Sequence, residues 1–353
     1  MSTTTQGGSG APASSERMLR SSPLRRIFIR PETGAVAGSV AVWIFFAIVS
    51  GSTGFLSLLG TANYLTVAAD LTIQAVPVAL LMIGGEFDLS IGSTMGACGM
   101  IIAILSAQYG LNLWVAIVVA LVFAALIGVL NGYLVVRTGL PSFIITLGTS
   151  YILLGLTTGL TSALTGLTVV GGVDKTAGYN AAHAIFGSKI IIGGAGFPVD
   201  ILWALIIVAV ATWVLLGTSF GNWIFGVGGD ANAARNIGVP VRSVKILLFV
   251  GTAVLSCLLA IIQVVSFTSS QVLLGQGNEF LAIVSAVIGG VLLTGGYGSA
   301  IGAMFGALAF GIVQQGIVFA GVDINWYKAV VGVILLLAVL LNSYVRKLAM
   351  EKR

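Results

Sequence analysis

Charge is scarce in this chain. Only 8% of its 353 residues are Asp, Glu, Lys or Arg, whereas roughly 25% would be usual for a soluble domain. No Asp, Glu, Lys, Arg or His occurs from Leu89 to Val136, Thr138 to Val173, Ile201 to Gly229, Ile246 to Asn278 or Phe280 to Val322. These gaps exclude a soluble globular protein, because a helix needs about 20 apolar residues to cross a bilayer and most of the gaps hold one or two crossings. The runs lack the period-two alternation of a membrane β-barrel, leaving an α-helical polytopic protein.

Reactive residues are equally sparse. Histidine occurs once, at His183, and cysteine twice, at Cys98 and Cys257. Neither number nor spacing suggests a disulfide framework or a metal site, and His183 has no Ser, Cys or carboxylate constellation around it that would make a nucleophilic centre. The pattern G-x-x-x-x-G-K-[ST] does not occur, so the chain has no phosphate-binding loop of its own. It therefore reads as a non-enzyme, with no catalytic residue, metal or bound cofactor expected. The formal charge of +5 does not point to nucleic acid, because the basic residues sit in the tails and a few loops.

What is present is organised. Residues 1–15, MSTTTQGGSGAPASS, lack apolar periodicity and read as disordered; a basic segment leads from there into the first apolar run near Gly34, and no cleavable leader is evident. Three regions follow: a cytosolic tail over 1–33, a transmembrane domain over 34–343 and a cytosolic tail over 344–353. Ten spans are expected near 34–52, 64–83, 91–107, 113–136, 142–160, 200–217, 245–265, 280–293, 301–319 and 327–343, the eighth short and not fully crossing. With a cytoplasmic N-terminus, 13 Lys and Arg fall inside and 3 outside, the bias of a plasma (inner) membrane protein with both termini in the cytosol. The polar loop over 161–199 then faces outward.

Two stretches read alike. At 83-IGG and 288-IGG a Gly-Gly pair is followed by a polar turn and an I-G-x-x-x-G-A helix start, the second turn being five residues longer. Gly84, Gly85, Gly289 and Gly290 thus suggest a two-half internal repeat with turns at interrupted helices. The plainer alternative is a helix-packing signature of small residues four apart.

The carboxylates near the membrane are the candidate route residues. Glu86 and Asp88 stand between the second and third spans, where Asp88 or Ser90 can cap the helix opening at Ile91 or Asp88 can gate the route. Asp70 lies about two turns into the second span with Gln74 one turn further on the same face, and Gln263 adds a neutral amide suited to a hydroxyl-rich solute. Between the sixth and seventh spans, 221-GNWIFGVGGDANAARNIGVPVRSVK-245 contains a short helix over Ala231 to Ile237, capped by Asp230 and ended by Gly238 and Pro240. It reads either as a docking element or as a surface connector.

Together, GGEFDLSIGS, RTGLPSFIITLGT, GGDANAARNIGV, AVIGGVLLTGGYGSAIG and YKAVVGVILLLAVLLN resemble the permease subunit of ribose-type, simple-sugar ABC importers, over nearly all of Gly34 to Asn342. The resemblance implies that Asn232, Ala233, Ala234, Arg235, Asn236 and Gly238 form a coupling helix that rests on a separate ATPase subunit carrying ATP-Mg. It also implies a second permease copy, identical or a close paralogue, and an external solute-binding protein. Two departures stand out: the I-x-R-G-L pattern of many relatives is 152-ILLGL-156 here, and Glu86 adds a carboxylate to their GGIDLS. The competing class is an ion-coupled secondary transporter loading its ion at Asp70, Glu86 and Asp88.

Overall fold

The structure, a computed structural model, describes residues 31–323 and positions 326, 329, 332, 333 and 336. The two tails and the expected tenth span lie wholly or largely outside the described residues. The helices begin and end on local signals. Helix α1 covers Pro31–Ser50. Ser57 caps α2, Leu58–Ile83, by accepting from the Gly60 amide at 3.0 Å. Helix α3, Ile91–Ala103, runs on through a π turn over Ile104–Gln108. Asn112 caps α4, Leu113–Thr138, which stops at Gly139 in the left-handed region. Helix α5, Ser142–Thr165, starts behind Pro141 and stops at Gly166, the Pro-before, Gly-after asymmetry of helix ends.

The segment expected as a polar outer loop is built instead. It contains strand β1, Val169–Gly171, helix α6, Tyr179–Phe186, and a hairpin of β2, Lys189–Ile192, with β3, Ala195–Pro198. The hairpin closes on Gly193 and Gly194, both at positive φ, as a two-residue turn between twisted strands requires. His183 stacks near Tyr179, ring centroids 5.5 Å apart.

Helix α7, Asp200–Gly217, leads into α8, Ser219–Gly229, and α9, Ala231–Asn236, before α10, Val241–Phe267, crosses back. Strand β4, Ser269–Gln271, pairs antiparallel with β1. Then comes the largest difference from expectation. In place of an eighth span over 280–293 there is only α11, Asn278–Ile288, before α12, Ala300–Phe319. Residues 270–275 instead run along α3 without helical structure: a side chain added at Gly99 would strike Ser270 and Leu274, at Gly96 the Leu274 and Val272 carbonyls, and at Gly92 the Gly275 carbonyl. Small residues on α3 admit this backbone because it is covered by protein rather than lipid.

Eight helices among the described residues are long and apolar enough to cross a membrane. The chain is a multi-pass membrane protein. Helices α2, α3, α10 and α12 are buried over most of their length and form the centre, while α1, α4, α5 and α7 turn apolar faces outward. Cys98 and Cys257 are buried free thiols.

Candidate functional site

The two Gly-Gly stretches adopt one geometry. After α2, Gly84 donates to the Leu80 carbonyl at 3.0 Å, Gly85 to Met82 at 2.9 Å and Glu86 to Leu81 at 3.1 Å. After α11, Gly289 donates to Ser285 at 2.9 Å, Gly290 to Val287 at 2.9 Å and Val291 to Ala286 at 3.0 Å. Both are Schellman ends, and both place their second glycine in the left-handed region, φ 83° at Gly85 and 89° at Gly290, where a Cβ is costly. The turns also meet, the Gly296 amide donating to the Ile83 carbonyl at 2.8 Å.

The first link, 84–90, is tied to its surroundings by its polar groups. Asp88 is only 1% exposed. Its Oδ1 accepts from the Ser90 amide at 2.9 Å and the Ser90 hydroxyl at 2.6 Å, and its Oδ2 accepts from the Thr252 hydroxyl of α10 at 2.7 Å. The Asn131 amide donates to Ser90 Oγ at 2.9 Å, and Thr149 donates to Asn131 Oδ1 at 2.7 Å. The Phe87 and Leu89 amides donate to the Ser142 and Thr146 hydroxyls of α5, at 2.9 and 3.0 Å. Glu86, also buried, forms an ion pair with Lys245 of α10. Asp88 stands between the spans; burial pushes its carboxyl above the ordinary carboxylate range, while donors from Ser90 and Thr252 pull it back down.

This corrects the capping expectation. Ser90 occupies the N-cap position of α3 but makes no side-chain cap bond, and Asp88 bonds the amide of Ser90 rather than the free amides of the helix. Donors from Ser90 in its own link and from Thr252 of α10 hold the carboxylate, and it is sequestered rather than hydrated. At the corresponding place before α12, Ser299 does cap, accepting from Gly302 at 3.1 Å.

Asp70 lies 12 residues past the start of α2, deeper than two turns, because that helix begins at Leu58. Its Oδ2 accepts from Gln263 Nε2 at 3.0 Å, and the carboxyl of Asp200, first residue of α7, faces it. Oδ1 of Asp70 has no hydrogen-bond donor among the described residues. Gln74 is fully buried, its Nε2 3.5 Å from Met95 Sδ and its Oε1 without a partner among the described residues. Asp70 and Gln263 are thus brought together, while Gln74, Glu86 and Asp88 each sit in separate surroundings. Two grooves on this protomer, one between α7 and α12 and one between α2, α7 and α10, are lined almost wholly by apolar side chains; none of the predicted polar residues lines them.

On the other side of the joined turns sits the α8–α9 unit. Thr218 caps α8 through the Gly221 amide at 3.1 Å, and Asp230 caps α9, accepting from the Asn232 and Ala233 amides at 2.8 and 3.0 Å. The helix body is Ala231–Asn236, one residue shorter than expected, and Gly238 beyond it has φ 88°. Ala234 is buried, whereas Asn232, Ala233, Arg235, Asn236 and Gly238 are exposed. Ile237 is 83% exposed at the tip.

Sequence reasoning did not single out Asp200, Lys245, Thr252, Asn131 or Ile237 as partners. Lys245 and Thr252 are one and three turns into α10, far in sequence from Glu86 and Asp88, so no local pattern links them.

One span, α2, and the short α11 thus end in the same Schellman turn, with the exposed α9 joined to them through α8. A family model described as "Branched-chain amino acid transport system / permease component" matches residues 60–339. The chain belongs to this permease family. It is 31% identical over 321 residues to the ribose import permease protein of Escherichia coli K12, covering 90% of this chain and 97% of that one. It is 32% identical over 286 residues to an autoinducer 2 import system permease protein of Photorhabdus luminescens, covering 81% and 82%. A probable ABC transporter permease protein of Sinorhizobium fredii is 30% identical over 316 residues, covering 88% and 89%. No solved structure matches. The chain is thus a membrane permease subunit of an ABC importer.

Proposed function

We propose that this permease carries a monosaccharide or a similar small polar solute into a bacterial cell across the plasma membrane, its termini cytoplasmic. Relatives named for ribose and autoinducer 2 import support that solute class. A second copy of the chain, identical or paralogous, completes the route; the apolar character of the grooves on this protomer favours a passage between copies over one through its centre. The wide apolar faces of α4 and α5 suit lipid or that partner copy. ATP-Mg binds a cytosolic ATPase subunit, and an external binding protein presents the solute.

The observation that carries this reading is α9: a capped, rigid, six-residue helix whose Arg235 and Ile237 are exposed and whose base is buried at Ala234. A stiff tip with one cation and one apolar knob fits a cleft in a partner, and it passes a push to the helices behind it. Glu86 and Asp88 are held by Lys245 and Thr252, which accounts for them without an ion-loading role. The Arg235 side chain forms no ion pair with the described residues, so reversing its charge spares the fold. Arg235→Glu is expected to insert normally and melt within a degree or two of the unaltered protein, yet lose at least tenfold in uptake and in ATPase copurification. Unaltered uptake in that variant would remove α9 from the docking role.

A further inference from the structure

The contact between α8 and the two turns is made of backbone. Gly228, on the last turn of α8, lies against the end of α2 so closely that a Cβ there would run into the Ile83 carbonyl oxygen, with the Gly296 amide nitrogen 2.7 Å away. A Cβ at Gly295 would come within 2.7 Å of the Gly228 carbonyl oxygen and 3.0 Å of Gly85 Cα, and one at Gly296 within 3.0 Å of Gly229 Cα. The Gly296–Ile83 hydrogen bond crosses the same point. Three separate chain segments therefore converge with no side chain between them. Neighbouring positions on the helix are different: a Cβ at Gly226 meets only Ala234 at 3.9 Å, and at Gly229 nothing within 4 Å.

We infer that Gly228, Gly295 and Gly296, closed on Ile83 and Gly85, form the joint that carries movement of α9 into both intramembrane turns at once. The inference rests on the proposal that α9 docks an ATPase and adds the residues that transmit its motion. Backbone in direct contact has no rotamers to absorb a displacement, so a shift of α8 is delivered to the turns undamped. The two sides of the joint are held differently. Ile83 and Gly85 precede a link pinned by Glu86, Phe87, Asp88 and Leu89 to α5 and α10. Gly295 and Gly296 belong to a link whose backbone bonds run within itself, Leu292 to Tyr297 at 3.1 Å and Gly295 to Leu292 at 3.1 Å, and to Ile83. Both links lead directly into buried helices, the first into α3 and the second into α12, so a displacement at the joint reaches both.

The test uses the full permease with its copurifying ATPase and binding protein in proteoliposomes, with radiolabelled pentoses and hexoses as probes and ATP hydrolysis measured in parallel. Gly228→Ala is expected to lower solute moved per ATP at least tenfold, while Gly226→Ala and Gly229→Ala stay within twofold of the unaltered complex. A Gly228→Ala complex that assembles and couples normally overturns the joint. A second readout needs no variant: the Gly296 amide is expected to change its hydrogen-exchange rate at least tenfold between the nucleotide-free complex and one holding a non-hydrolysable ATP analogue. An unchanged rate also overturns the joint. Failure of the underlying functional reading looks different, since the unaltered chain would then retain no ATPase.

Discussion

The links over 84–90 and 289–299 begin as the same turn and end as opposites. Each closes a helix with paired glycines and the same three backbone bonds. The first then places Glu86 at the position after the turn, the second Val291. From there the first link continues with Phe87, Asp88 and Leu89, each held by a side chain of another helix, and the second with LLTGGYG, which has no charged residue. One motif used twice thus continues in two ways: the acidic residues of the first link tie it to other helices, and the glycines of the second let its backbone pack directly on α8 and α2.

Removing the anchor is expected to have the largest effect. Asp88→Ala leaves the Ser90 amide and hydroxyl buried without their acceptor, Thr252 falling back on the Phe249 carbonyl, and is expected to cost about 2–4 kcal/mol, read as a large fall in the melting temperature in detergent. Asp88→Asn keeps the shape and one acceptor oxygen; it is expected to retain most uptake, and loss of uptake without loss of stability would instead give the charge a gating role. The Glu86–Lys245 pair ranks next. Lys245→Met, which strands a buried carboxylate, is expected to cost about 1–3 kcal/mol, and adding Glu86→Gln is expected to recover at least half of that. Smallest is Ser299→Ala, which removes the cap of α12 and is expected to cost about 1 kcal/mol. Because Ser299 makes only a local cap bond to Gly302, Ser299→Ala should change stability more than uptake.

Much of the fold was legible because charge gaps and helix stops are local. Eight expected spans correspond to helices long enough to cross, and Asp230 and Gly238 bound the short α9 as the sequence suggests. The turn homology between Gly85 and Gly290 was legible for the same reason. The short α11 was only half legible: its span was expected to be short and not fully crossing, but nothing in 270–277 says that three glycines on α3, far earlier in the chain, will cover a non-helical backbone. The candidate site was less legible still. Partners such as Asp88–Thr252 and Asp70–Asp200 join distant segments, and the contacts of Gly228 depend on backbone proximity that a lone glycine in a helix does not announce. The capping expectation for Asp88 failed because a local rule was applied where Thr252, far off in sequence on α10, also holds the carboxylate.

The most direct test of the whole account is energetic. The permease, purified with its natural ATPase and binding protein and sealed in proteoliposomes, is offered labelled monosaccharides under two regimes, enclosed ATP-Mg without an ion gradient, and a proton or sodium gradient without ATP. Uptake that needs ATP, ignores the gradient and disappears in Arg235→Glu is the predicted result; uptake driven by the gradient alone, and lost in Asp70→Asn, would contradict it.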